Sequence, residues 1–498
     1  MQTDRSYERS AAQAPGLPGV SLAILFAGLA ALAGFFAALA VGQVGALSLL
    51  LLPLALLLVG VLLRPEIGIL AFALITTTQV SDVAITYYGL PSLAQPLAGL
   101  LLVAILIRIV LFHERPTGWM RAGVILAAYA GFWFLSLMHA ADFSAAQSTF
   151  IDFAKDALGA VILVLLVQNS SSLRAIAWGI IAAGLLMGSI SVYQYLTGTF
   201  NNIYFGFGGW ESQVSGAVSR HRLTGPYANP NAYAQVLVVC VPLALDRLWH
   251  ERRAWLRLVA GVALGVCVMA IFFTCSRGGF LTLIFALGLV FIQRRPGFLP
   301  LILTAALAVA LLQFVPNTYL ERINSLIEFF PTQNEQLTDQ SFRGRLSENK
   351  AAWEMFLDNP LLGVGLGNYD VQYQNYSREI GLDNRRDPRS PASLYMEIIS
   401  EQGLVGSLIF ATLMALVLRG VLQARRVFAA IGQHDDHLIA SALLISLAGY
   451  LFAAIFKNSA YANVFWMLVG ACLAALQVAL AARQAQQQQR DAAPGRKA

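Results

Sequence analysis

Charge is scarce in this chain. Only 12% of its 498 residues are Asp, Glu, Lys or Arg, against 57% hydrophobic, too apolar a balance for the surface of a soluble protein this long. Cysteine is also sparse: Cys240, Cys267, Cys275 and Cys472 sit in or beside apolar runs, with no CxxC spacing, which excludes a disulfide framework or a zinc site by pattern. No DxD occurs, which argues against an enzyme that holds a nucleotide-sugar diphosphate through a metal. GxSxG and Walker patterns are missing as well, removing the usual hydrolase and NTPase signatures. The net charge of +6 is spread over short loops rather than gathered on one face, so nucleic acid is not an expected partner.

Long apolar runs are what the chain does have. Each needs roughly 20 residues to cross about 30 Å of hydrocarbon. Such runs fall near 20–41, 44–63, 66–80, 92–112, 122–139, 153–168, 174–196, 232–246, 254–273, 278–292, 298–315, 394–418, 437–456 and 461–481. The expected fold is therefore an all-α polytopic membrane protein with about 12–14 transmembrane helices, the short runs being tilted or re-entrant. Arg5 and Arg9 before the first run suggest a secretory signal, but a second run follows almost at once and a transmembrane hairpin fits better. With the N-terminus inside, only Lys155, Arg277 and Lys457 fall in short external connections, as the positive-inside rule requires.

This reading divides the chain into a cytoplasmic N-terminal tail (1–19), N-terminal transmembrane helices (20–196), a first long external loop (197–231), central helices (232–315), a large external loop (316–392), C-terminal helices (393–482) and a disordered cytoplasmic tail (483–498). Loops of that length inside a compact protein are usually functional. In the first, Arg220-His221-Arg222 precede a Gly-Pro turn and Asn229-Pro230-Asn231. Asn229 suits an N-cap with Pro230 at the first helical position, which would aim a positive helix end outward beside the arginines. That arrangement reads either as an anion site or as a capped helix with solvated arginines.

Thr274-Cys275-Ser276-Arg277 is wedged between two apolar runs. A guanidinium there is costly unless it faces an aqueous cavity with an anionic partner, the alternative being an arginine that snorkels to headgroups. In the large loop, Leu346, Trp353, Phe356 and Leu357 share one face of an expected amphipathic helix on the membrane surface. The Gly363-Val364-Gly365-Leu366-Gly367 string lacks the strand–turn–helix context of a nucleotide site and reads as turn chemistry. The loop's arginines, Arg343, Arg345, Arg386 and Arg389, are candidate substrate contacts. Ser390 is the expected cap of the returning helix, on which Tyr395, Glu397 and Glu401 follow. Glu397 reads as a general base for an acceptor hydroxyl or as a partner for an arginine. His434-Asp435-Asp436-His437 reads as a solvated charge cluster.

Four segments in order, GPYANPNAYA at 225–234, SRGGFLTL at 276–283, ENKAAWEMFLDNPLLGVGLGNY at 348–369 and SLYMEIISEQGLVG at 393–406, resemble the O-antigen ligase and O-antigen polymerase family of bacterial surface-polysaccharide assembly. The resemblance implies a metal-independent, cofactor-free, inverting glycosyltransferase in the bacterial inner membrane, with its site facing the periplasm. Its donor would be a glycan on undecaprenyl diphosphate, and its acceptor a glycan or the lipid A core. Arg222 and Arg277 match positions thought to hold the diphosphate, with Glu397 as the third catalytic candidate. Arg220, His221, Asn229, Asn231, Ser276, Arg343, Arg345, Arg386, Arg389 and Tyr395 would line the substrates. Family ligases usually carry a His just before the Ser-Leu-Tyr segment, where this chain has Ala392. A methyl group cannot accept a proton, so the reading leans to a polymerase, with a ligase acting on lipid A core or protein as one alternative and a non-catalytic transporter as another.

Overall fold

The computed structural model describes residues 59–111, 113, 116, 119–215, 218–294, 302, 340–382 and 389–492. They are overwhelmingly helical: α1 (Pro65–Thr78), α2 (Val80–Tyr88), α3 (Ala94–Val110), α4 (Trp119–Ser136), α5 (Phe143–Leu166), α6 (Ser170–Thr197), α7 (Pro230–His250), α8 (Ala254–Phe273), α9 (Arg277–Arg294), α10 (Gln340–Asp358), α11 (Tyr369–Ile380), α12 (Leu394–Ala430), α13 (His434–Ala453) and α14 (Asn463–Ala492). Two compact units are drawn from residues 1–68 with 99–114 and from 69–98 with 115–498. In the first, Gly68 lies against Val61 and Leu101, where any side chain would collide. The second carries the site.

Six of the described helices, α6, α7, α8, α12, α13 and α14, are long and apolar enough to cross a membrane, and α1 with α2 forms a seventh candidate bent by 55°. The chain is an all-α polytopic membrane protein. The expected runs at 92–112, 122–139 and 278–292 appear as shorter apolar helices. The run at 153–168 is the C-terminal part of α5, whose earlier turns carry Asp152 and Lys155 as an exposed ion pair at 2.8 Å. The runs at 20–41, 44–63 and 298–315 lie almost wholly outside the described residues.

Small residues set the helix spacing, as expected where lipid competes with any apolar surface. Gly470 of α14 meets the backbone of Ala160 on α5, and Gly184 of α6 lies against Cys240 and Cys267, each too close to admit a Cβ. All four cysteines are free and buried.

The 197–231 segment holds an element absent from the sequence reading. An antiparallel hairpin of β1 (Trp210–Ser215) and β2 (Val218–Leu223) pairs Glu211 with Arg222 in register. Fully buried Leu223 anchors it on Met269 and Phe273 of α8.

Two expectations for the large loop change. The amphipathic helix exists as α10, but its buried face is Ala351, Ala352 and Met355, packed on Tyr369 and Tyr373 of α11. Small residues permit that close approach, so Trp353 and Leu357 are left about half exposed. The returning helix is capped by Ser393, whose hydroxyl accepts from the Tyr395 N–H at 3.2 Å, not by Ser390, whose hydroxyl donates to Asp370 at 3.1 Å.

The glycine string is explained by a break in α12. Gly403 sits at φ 60°, ψ −161°, a region open essentially only to glycine. The groups freed there are satisfied by the 360–365 segment: Leu404 and Val405 N–H donate to the Pro360 and Leu361 carbonyls (2.8 and 3.1 Å), and Val364 and Gly365 N–H donate to Ser400 and Glu401 carbonyls (2.9 and 3.0 Å). A broken helix tolerated in lipid needs such replacement partners.

The 434–437 segment is not a solvated cluster. Asp435 pairs with Arg247 at 2.8 Å, Arg247 pairs with Asp246 at 2.7 Å, Asp436 accepts from the Ser170 hydroxyl at 2.6 Å, and Arg174 binds Glu251. Arg247 is only 1% exposed, so this network ties α6, α7 and α13 together and would be costly to break at one partner.

Candidate functional site

Two helix starts and one strand end converge. Asn229 caps α7, its side-chain oxygen accepting from the Asn231 and Ala232 N–H groups at 2.9 and 3.1 Å. The next side chain, Asn231, receives the Ser276 hydroxyl at 2.7 Å and the Arg222 guanidinium at 3.3 Å on one oxygen. Ser276 in turn accepts from the Gly279 N–H at 3.1 Å, closing the first turn of α9. Arg222 also donates to the Thr274 carbonyl at 3.0 Å.

The turn that makes this possible is three residues long. Cys275 sits at φ 49°, a strained conformation for a residue with a Cβ, which persists where the surroundings over-determine it. The Thr274 hydroxyl donates to Ile271 O at 2.7 Å and accepts from Ser276 N–H at 3.3 Å, holding the reversal. Arg277 emerges as the first residue of α9 with an exposed side chain and, among the described residues, no carboxylate partner. The expected anionic partner is thus not supplied by those residues. Both helix starts bring positive dipole ends to the place where two guanidinium groups lie, a physical recipe for an anion site.

The second part of the site is built around the 454–462 connection between α13 and α14. Glu397, 4% exposed, accepts from the Ala460 N–H at 3.1 Å. Its charged neighbour is Lys457, whose ammonium also faces Glu348 and Asp370 and bonds to Asn458. Burial pulls the Lys457 pKa down, while Glu397, Glu348 and Asp370 oppose the shift and Arg345 adds to it. Burial raises the Asp370 carboxyl. One turn on from Glu397, Glu401 accepts from the Tyr461 hydroxyl and from the Tyr369 N–H at 3.2 Å. Among the described residues neither carboxylate pairs with an arginine.

The same connection joins the two parts. Phe456 lies against Gly278, where a Cβ would sit 3.0 Å from it, so Arg277 and Lys457 are carried by touching segments. The Gln235 side chain of α7 donates to Ser459 at 3.1 Å, and the Leu394 N–H donates to the Ala454 and Lys457 carbonyls at 3.0 and 3.2 Å.

The remaining candidates divide. His221 is half-buried, stacked on Phe200 at 4.2 Å and beside Trp210 at 4.4 Å. Arg389 pairs with Glu348 at 3.2 Å, Arg343 donates to the Leu382 carbonyl at 3.1 Å, and the Tyr395 hydroxyl donates to the Leu451 carbonyl at 2.8 Å. Those three are committed to holding the loop in place. Arg345 is exposed near Lys457. Arg386 and the Arg220 side chain lie outside the described residues. Sequence reasoning missed Lys457, Glu348 and Asp370. Lys457 had a visible signal, being a cation in a short connection between apolar runs, the same argument that singled out Arg277.

Fold and site together define a multi-pass membrane protein that gathers cations and buried carboxylates where its helices meet its loops. Residues 262–411 match the family model described as O-antigen ligase. The match covers less than a third of the chain and makes that segment similar to O-antigen ligases of surface-polysaccharide assembly. It includes the 274–277 turn, α10, α11, Glu397 and the Gly403 break, but not Arg222 or Lys457. No curated protein matches the chain.

Proposed function

We propose that the protein transfers a glycan from a polyprenyl diphosphate to a sugar hydroxyl on the periplasmic face of the bacterial inner membrane, as a polymerase of surface polysaccharide. The observation that carries this reading is the convergence of Arg222, Asn231, Ser276 and Arg277 on two helix starts. In the proposed step the acceptor oxygen attacks the anomeric carbon, the bond to the diphosphate oxygen breaks, and the configuration inverts. The departing undecaprenyl diphosphate gains negative charge, which Arg222 and Arg277 offset with charge-assisted hydrogen bonds. The acceptor hydroxyl loses its proton to the Glu397 carboxylate, which the Ala460 N–H holds in place. This assigns to Glu397 the work that Ala392 cannot do. Membrane lipids surround the donor's polyprenyl tail.

The test is transfer by purified protein supplied with lipid-linked donor. Arg277→Ala, with insertion verified, is expected to lose about 10²–10³-fold in rate, the usual cost of one leaving-charge donor. Transfer at the wild-type rate by Arg277→Ala would remove the assigned role, and a wild-type protein forming no product would favour a transporter.

A further inference from the structure

Beside the packed core of the large-loop lobe, α10 and α11 form an open groove of about 540 Å³ whose lining includes Lys350, Trp353, Glu354, Asp358, Tyr376 and Glu379. The volume falls within the roughly 300–1,000 Å³ of small-molecule sites. Trp353 is 46% exposed and braced by Phe356, whose ring is tilted 40° to it at 5.3 Å between ring centres. The Tyr376 hydroxyl donates to Asp358 at 2.8 Å. Burial and then Asp358 push the Tyr376 pKa up to about 12, so the group stays a donor and the carboxylate is held in one orientation.

The lining says what fits. An indole face flanked by carboxylates, one of them held by Tyr376, matches a pyranose ring, whose C–H face packs on the aromatic while its hydroxyls donate to the carboxylates. Three carboxylates against one ammonium repel diphosphates and anionic headgroups. An acyl chain or apolar peptide would leave the carboxylates desolvated without partners. This also argues against the membrane-surface role expected for α10.

We propose that this groove binds a stretch of uncharged or amino-bearing sugars of the glycan chain, gripping it apart from the reacting centre. It rests on the transferase reading only for which glycan reaches the groove. Helix α10 carries Glu348 toward Lys457 on one side and the groove residues on another, so a chain leaving the reacting end needs only to cross that helix.

The full-length protein in lipid nanodiscs would be titrated with the oligosaccharide released by mild acid from the lipid-linked donor of the producing cells, and in parallel with trigalacturonate, following tryptophan fluorescence. The released oligosaccharide is expected to bind saturably, Trp353→Ala to weaken it at least ten-fold, and trigalacturonate not to bind. Trp353 is about half exposed and lies outside the buried face of α10, and an unchanged thermal unfolding curve for Trp353→Ala verifies that the fold is kept. Absence of saturable binding, equal binding by Trp353→Ala, or equal binding of trigalacturonate overturns the proposal. Arg277→Ala lines no part of the groove and is expected to bind normally while losing transfer. Trp353-dependent binding by a wild-type chain that transfers nothing would keep the groove and remove the transferase reading; transfer without groove binding would do the reverse.

Discussion

Lys457 stands where three carboxylates and one guanidinium act on it at once: Glu397, Glu348 and Asp370 favour its charge, while burial and Arg345 disfavour it. Burial prevails, so its folded pKa lies below the ordinary 10.5. Between the two pKa values the unfolded chain holds a proton that the folded chain has released. Raising pH through that window therefore stabilises the fold relative to the unfolded state, yet removes the cation from the site. On the proposed function, the rate has an alkaline limb beginning below 10.5. Lys457→Arg keeps its charge there and is expected to retain activity further into alkali, whereas Lys457→Met is expected to lose about 10²-fold at neutral pH. Rate–pH profiles of the three purified proteins check this, and superimposable profiles for wild type and Lys457→Arg would exclude Lys457 from the charge balance. The paired neighbours Arg343 and Arg389 are instead spent on the Leu382 carbonyl and on Glu348. Sequence could not sort these cations, because spacing along the chain gives no sign of which guanidinium meets a carboxylate forty residues away.

At the scale of elements, the broken helix α12 is the joint between lobe and membrane. A Cβ at Gly403 would lie 2.5 Å from the Leu361 carbonyl carbon and oxygen and 2.6 Å from the Gly363 nitrogen. Those are backbone atoms and cannot rotate away. Gly403→Ala is expected to cost at least about 1–3 kcal/mol from its dihedral angles alone, with the collision added. Glu397 and Glu401 would shift with the break, so transfer should fall although no charged group has changed. Gly265 in α8 has open space around its Cβ position, and Gly265→Ala should be neutral or stabilising by up to about 1 kcal/mol. Thermal unfolding and transfer assays of the pair test the joint. Helix existence was legible from apolar runs, and the Asn229 cap from its Asn-Pro-Asn spacing, because both are local signals. The Ser393 cap, the buried face of α10 and the docking of 360–365 on Gly403 were not legible, because each is decided by a partner distant in sequence. Glycines that read as turns serve here as a flat surface for a helix break.

For the whole molecule, the choice between polymerase and ligase turns on what the second substrate brings. A polymerase seats two polyprenyl diphosphates at once, one leaving and one carrying the acceptor repeat, and each needs cations. Arg222 and Arg277 lie at the α7 and α9 starts, while Lys457, carried on the 454–462 connection that touches Gly278, has exposed Arg345 near it. Two separate cationic groups joined by one connection suit two diphosphates. They also relieve the acceptor side of its need for a histidine, since a diphosphate-anchored acceptor arrives with its hydroxyl already positioned and Glu397 has only to take the proton. Cells carrying Arg277→Ala as their only copy are accordingly expected to accumulate polyprenyl diphosphates bearing single repeats. Arg345→Ala should shorten the polymer rather than abolish transfer, because it loosens the acceptor and leaves the departing diphosphate served. Extraction and sizing of the lipid-linked glycans distinguishes the cases. Long chains on the lipid in the Arg277→Ala strain would instead mean that polymerisation happens elsewhere and that this protein moves the finished chain, with Lys457 then facing a phosphorylated acceptor.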